Sequence, residues 1–199
     1  MRILLATGIF PPDIGGPASY IPLAAAELSK RGHTVSVLTL ADDPARPTAW
    51  PFPVMRLARR KFVPLRMALT FFALWRMARK HDIVYANGLD LEALCAARLA
   101  RKPFVLKIVG DYGWERARNR GWFKGTIDEY QAARKGPWLR ALDALRALPA
   151  RRAERVIVPS RYLRDIVAGW GGVHTGSLSV VYNAIADRSA ATVEPESTY

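Results

Sequence analysis

Apolar residues along this chain fall into short unbroken runs separated by longer amphipathic stretches, and the two kinds alternate. Arg2 to Thr7 is continuous and ended by Gly8, the pattern of a strand buried on both faces. A Pro/Gly loop, Phe10 to Gly16, leads to Pro17 at a first helical position, where its missing N–H is harmless. Ile21, Leu23, Ala24, Ala25 and Leu28 give that helix an apolar face, and Gly32 stops it. Thr34 to Leu40 reads as a second strand, rich in β-branched residues. Asp42 to Pro53 holds four prolines and reads as an irregular loop, with a short strand at Val54 to Leu57. Pro64 to Lys80 is a helix with an apolar stripe and arginines beside it. Further strands are expected at Asp82 to Ala86, Pro103 to Val109, Arg155 to Val158 and Leu178 to Tyr182. Helices are expected at Asp90 to Ala100, Thr126 to Arg134, Pro137 to Ala147 and, capped by Ser160, through Val167. Gly110 to Gly125 reads as a polar, aromatic loop.

Strands alternating with helices predict a Rossmann-like α/β domain with a doubly wound parallel sheet. Right-handed crossovers gather the strand C-termini on one edge, where ligands of such folds bind. One domain over residues 1–187 accounts for the pattern, and the small, polar stretch 188–199 reads as a linker.

Composition narrows the setting. The N-terminal apolar run is too short for a signal core, and no stretch reaches the roughly 18 apolar residues of a bilayer span. The lone cysteine, Cys95, cannot form an internal disulfide, so a reducing, cytoplasmic compartment is expected. Thirty Lys and Arg against 17 Asp and Glu give a net charge of +13, a surface that attracts polyanions. From Arg56 to Lys80 there are eight basic residues and no acidic one, interleaved with Leu65, Leu69, Phe71, Phe72, Leu74 and Trp75. Three readings fit that segment. It is a core-facing helix with a solvated basic rim, or an interfacial helix on an anionic bilayer, or a nucleic-acid surface. The second would use Arg60, Lys61, Arg66, Trp75, Arg76, Arg79 and Lys80 and would place the protein peripherally at the inner face of the plasma membrane. The third lacks any recognition motif, and no nucleic acid is expected as a partner.

Each site suggested by the residues falls just after a strand. Gly15-Gly16 either lets the backbone approach a diphosphate at a helix N-terminus or makes a tight turn. It is neither a dinucleotide fingerprint nor a P-loop. His33, His81 and His174 are scattered without ligand spacing, so neither a metal nor another cofactor is expected, and no nucleophile elbow is present.

The longer motifs carry a resemblance. Phe10-Pro11-Pro12-x-x-Gly15-Gly16-x-x-x-Tyr20, followed by Leu23-Ala24-x-x-Leu28-x-x-Arg31-Gly32-His33-x-Val35-x-Val37, resembles the opening of family 4 glycosyltransferases. Asp82 to Gly88, Val156-x-Val158-Pro159-Ser160-x-x-Leu163 and Val180-Val181-Tyr182-Asn183-Ala184-Ile185 are similar to later elements of that family, in order. The resemblance implies one half of a GT-B architecture, in which an N-terminal acceptor-side domain faces a C-terminal domain that holds a nucleotide sugar. It implies retaining, metal-independent transfer to a lipid-linked or polysaccharide acceptor, with the donor domain supplied in cis or in trans. It places donor-diphosphate or acceptor contacts at Gly15, Gly16, Tyr20, Asn87, Gly88, Gly110, Asp111, Tyr112, Arg116, Ser160 and Asn183. Many relatives carry His-Gly-x-Asp where this chain has Val109-Gly110-Asp111-Tyr112, so the histidine is replaced by Val109 and Asp111 is the remaining catalytic candidate. A helix-capping or turn role for Asp111 stands beside that one. The alternative to the enzyme half is a stand-alone, non-catalytic module that binds a phosphorylated or lipid ligand or an anionic membrane.

Overall fold

The computed structural model describes residues 1–46 and 49–183; the motif residues Ala184 and Ile185 and the expected linker lie outside the described residues. Seven parallel strands form one sheet: β1 (Arg2–Thr7), β2 (Thr34–Ala41), β3 (Val54–Ala58), β4 (Ile83–Asn87), β5 (Phe104–Lys107), β6 (Arg155–Val158) and β7 (Leu178–Val180). Their spatial order is β3-β2-β1-β4-β5-β6-β7, so the winding reverses between β1 and β4. Seven helices connect or flank them: α1 (Gly16–Lys30), α2 (Val63–Ala78), α3 (Asp90–Leu99), α4 (Tyr112–Asn119), α5 (Ile127–Ala132), α6 (Pro137–Arg152) and α7 (Arg161–Ala168).

The strict two-residue period of β1 splits its side chains between two cores. Ile3 and Leu5 point to the face covered by α1, where they pack with Phe10, Ile21, Ala25, Val35 and Val37. Leu4 and Ala6 point to the other face, where Leu74 and Ala78 of α2, Ala93, Leu94, Ala96 and Ala97 of α3, Ala147 and Ala150 of α6 and Ile166 and Val167 of α7 close the larger core. A sheet covered on both sides calls for near-continuous apolar strands, as in Ile3 to Ala6 of β1, while β2 buries the small polar Ser36 and Thr39 among its apolar residues.

Four local expectations change. Leu23 is exposed, because the Pro22 ring takes the buried position beside it on α1. The strand expected through Val109 ends at Lys107, and Val109 is exposed. The expected loop after Gly110 contains α4, whose buried positions are the small residues Gly113 and Ala117 rather than large apolar ones. Helix α6 runs past Ala147 to Arg152, through Pro149, which leaves only the carbonyl of the exposed Leu145 without its helical partner.

Candidate active-site cleft

Parallel winding aligns the ends of β1, β4 and β5 on one edge. Thr7 pairs with Asn87 and Ala86 with Leu106, so Thr7, Asn87 and Lys107 terminate neighbouring strands. The backbones after β1 and β4 come close at Gly8 and Gly88. Gly88 has φ +99°, and a Cβ there would stand 3.0 Å from the Gly8 backbone nitrogen, so the site admits no side chain. Gly15, at φ +152°, opens α1, whose first turn carries no acidic residue. The turn and the helix N-terminus proposed for Gly15-Gly16 are therefore both present.

Between β4, β5, α4 and α6 lies a cleft of about 190 Å³, lined among others by Pro17, Asn87, Gly88, Asp90, Lys107, Gly110, Tyr112, Glu115, Arg146 and Trp170. Asp90, the first residue of α3, accepts a hydrogen bond from the Gly88 N–H at 3.1 Å. Burial outweighs that bond and holds its carboxyl up at about 6. Burial likewise raises the Glu115 carboxyl, with the Asp111 charge adding to it. Lys107 is 3% exposed and burial lowers its ammonium below the ordinary lysine range. It donates to Asn183 Oδ1 at 3.0 Å and sits 3.9 Å from the centre of the Tyr20 ring. The Tyr20 hydroxyl in turn lies 3.0 Å from that of Tyr85, whose phenol burial pushes up. Tyr20 and Asn183, predicted as contacts, thus meet around a lysine that the sequence reading passed over. Its signal was a lone charge inside Phe104-Val105-Leu106-Lys107-Ile108.

The wall of this cleft is a buried ionic network. Asp111 is fully buried; its Oδ1 accepts from the Trp114 N–H at 3.0 Å as the cap of α4. Its Oδ2 accepts from Gln131 Nε2 at 2.6 Å and pairs with the Arg146 guanidinium. Arg146 also reaches Asp143, 3.3 Å away, and lies over the Trp170 ring at 4.4 Å. Asp143 takes Lys135 Nζ at 2.5 Å and the Tyr130 hydroxyl at 3.0 Å. Both Asp111 oxygens are thus committed inside the fold. The geometry gives this residue the capping role, and Asp111 is not among the residues that line the cleft.

The remaining predicted residues separate. Tyr112 is exposed at the cleft mouth and its hydroxyl accepts from Arg116 at 2.7 Å, so these two act together. Gly110 lines the cleft. Ser160 Oγ accepts from the Leu163 N–H at 3.1 Å as the cap of α7 and is not among the residues lining the cleft. No group of His, Cys, Asp and Glu suited to a metal occurs among the described residues.

Helix α2 packs one side on the larger core, as the core-facing reading has it, but its other side carries exposed apolar residues as well as the basic rim. It buries only Thr70, Leu74 and Ala78, while Phe62 just before it (77% exposed), Leu65, Leu69 and Phe72 (54%) face outward. Arg56 and Arg59 turn inward, Arg56 to the Pro11 carbonyl at 2.9 Å and Arg59 to Asp13 and Asp42. Arg66, part-buried, donates to the Arg59 carbonyl at 3.2 Å, and Trp75 is covered by the Arg79 guanidinium at 5.4 Å. Arg60, Lys61, Arg76, Arg79 and Lys80 remain exposed around the apolar face. No helix among the described residues is long and apolar enough to cross a membrane.

A doubly wound parallel sheet with a cleft at its strand ends, next to the reversal of winding, and a Gly-Gly turn onto α1 define a Rossmann-like domain of the kind that makes one half of a GT-B fold. The chain belongs to Glycosyltransferase Family 4, whose description matches residues 14–188. No functionally curated protein matches the sequence. Among solved structures, HepE of Anabaena in complex with UDP and glucose superposes with TM-score 0.59 at 18% identity, over 93% of this chain and 45% of that one. MnaA of S. aureus, solved with UDP, gives 0.58 at 13% identity over 90% and 43%. A glycosyltransferase of Rickettsia africae gives 0.56 at 10% identity over 92% and 43%. The chain spans less than half the length of these structures.

Proposed function

We propose that this chain is the acceptor-side half of a glycosyltransferase that moves a sugar from a nucleotide-sugar donor to a lipid-linked acceptor at an anionic membrane surface. Family membership and the GT-B half fold support sugar transfer, and the UDP bound by HepE and MnaA supports a nucleotide donor. In this reading the unoccupied N–H groups at the start of α1 face the donor diphosphate, and Asn87, Asp90 and Tyr112 face the acceptor. The nucleotide pocket belongs to a C-terminal donor domain in cis or in trans. Transfer is retaining and needs no metal, and the protein works peripherally at the cytoplasmic face of the membrane.

The outward face of α2 is the observation that carries the lipid-linked acceptor. A helix that buries three residues and exposes Phe62, Leu65, Leu69 and Phe72 gains about 1–2 kcal/mol from each such side chain it removes from water. The cations around it add on the order of 1 kcal/mol each at an anionic surface. Cosedimentation with phosphatidylglycerol/phosphatidylcholine vesicles tests this. The chain is expected to bind them, the double variant Phe62→Glu/Leu65→Glu to lose binding by tenfold or more with an unchanged melting temperature, and neutral vesicles to bind weakly. Equal recruitment of both proteins sinks the membrane reading. Vesicle binding together with failure to transfer sugar from any nucleotide donor, with a family donor domain supplied in cis or in trans, selects the non-catalytic module instead.

A further inference from the structure

Lys107 is the one Lys or Arg among the described residues that is buried as a whole, and the two other deeply set cations beside this cleft are matched by carboxylates. Arg146 is held by Asp111 and Asp143, and Lys135 by Asp143. No carboxylate of the described residues pairs with Lys107, whose contacts are the neutral Asn183 amide and the Tyr20 ring. A charge taken from water without a counter-ion is costly, and proteins keep one where a ligand supplies the partner. A second observation lies beside it. Asn87 is 2% exposed, and its amide Nδ2 is buried without an acceptor. So is the indole Nε1 of Trp170. Both residues line the same cleft as Lys107. Groups of this kind are rarely left unsatisfied in the interior. The cleft thus presents an ammonium and two idle N–H donors. Its two acids, Asp90 and Glu115, are raised by burial, so their opposition to an incoming anion falls as the pH is lowered.

We propose that this cleft binds a phosphate group, with the Lys107 ammonium as its counter-ion and the Asn87 amide as its hydrogen-bond donor. The assignment rests on the cleft's being a substrate site of a glycosyltransferase. Phosphate then has two sources, the diphosphate of the donor and a phosphorylated acceptor. The Gly15-Gly16 turn and the cleft share Pro17 as a wall residue, so a diphosphate reaching across the edge of the sheet could meet both.

Titration calorimetry of the chain at physiological salt, with inorganic diphosphate, UDP and hexyl phosphate as probes, tests the site. Diphosphate is expected to bind and to weaken by about tenfold or more in Lys107→Met and in Asn87→Asp, the loss that follows removal of one charge-assisted hydrogen bond. Lys107→Met keeps the side-chain volume, and its unfolding midpoint is expected to equal or exceed the wild-type value, since an unmatched buried charge has gone. Lys107→Arg, which keeps the charge, is expected to retain binding within a few-fold. UDP binding more tightly than diphosphate assigns the site to the donor; hexyl phosphate binding more tightly assigns it to the acceptor. Absence of binding by all three probes overturns the proposal, as does equal binding by wild type and both charge variants, which would place the anions on the basic surface. If that happens while vesicle recruitment through α2 persists, the phosphate site falls and the membrane-bound transferase stands.

Discussion

Asp90 shows how a single position can tie the chemistry of the cleft to the stability of the fold. Its carboxyl sits at about 6 when folded against an ordinary value of 3.8, because burial disfavours the charged form. The folded state therefore holds the proton more tightly than the unfolded chain does. Its contribution to stability is fully present below about pH 4 and is lost as the pH rises through about 6. Asp90→Asn keeps an acceptor for the Gly88 N–H and cannot ionise. At pH 7.5 the variant is expected to be about 1–2 kcal/mol more stable than wild type, and the two to converge near pH 4. Urea unfolding across that range checks it; a constant difference would mean that Asp90 is solvated in the folded state. The same substitution is expected to lower the acceptor-dependent activity of the proposed transferase, since the cleft loses the carboxylate that stands next to Gly88.

At the level of elements, α4 is held over the cleft by charge more than by large apolar side chains. Helix α4 buries only Gly113 and Ala117, and the Asp111–Arg146–Asp143 chain supplies what large side chains would otherwise give. Removing one member of a buried pair leaves the other unmatched. Asp111→Ala is expected to cost about 3 kcal/mol, because Arg146 keeps Asp143 but loses its other carboxylate, and α4 loses its cap. Denaturant unfolding measures the cost. Hydrogen exchange is expected to show α4 amides unprotected before those of β1 and β4, and uniform loss across the sheet would contradict this arrangement. Here the sequence was hard to read for a physical reason. A helix that packs through glycine and alanine has no apolar stripe, so Gly110 to Gly125 looks like a loop, and the Asp111-x-x-Trp114 cap is its one local sign.

For the whole molecule, the net charge of +13 is the property that acts at a distance. Arg56 and Arg59 are spent inside, yet Arg60, Lys61, Arg76, Arg79 and Lys80 surround an apolar face without an acidic neighbour on the helix. Recruitment to anionic vesicles is therefore expected to fall at least tenfold between roughly 0.05 and 0.5 M salt, over which the Debye length shrinks severalfold, and to keep a residual apolar component. A salt-independent isotherm would assign recruitment to the apolar residues alone.

The chain's own pattern determined the strand–helix alternation, the parallel sheet and the position of the cleft at the strand ends, because unbroken apolar runs of strand length have few other solutions. It also determined the family, through motifs that are contiguous in the chain. Tertiary structure alone decided which polar groups are matched. Asp111 became a cap because Gln131 and Arg146 arrive from α5 and α6, 20 and 35 positions away (Arg146 sits at 111 + 35). Lys107 became the unmatched charge because its neighbours in space are Tyr20 and Asn183, 87 positions before it and 76 after it (107 − 20 and 183 − 107). Likewise α2 shows Phe62 and Phe72 outward because β1 and α3 cover only one side of it. Burial and charge pairing are sums over distant segments, and a local pattern does not contain them.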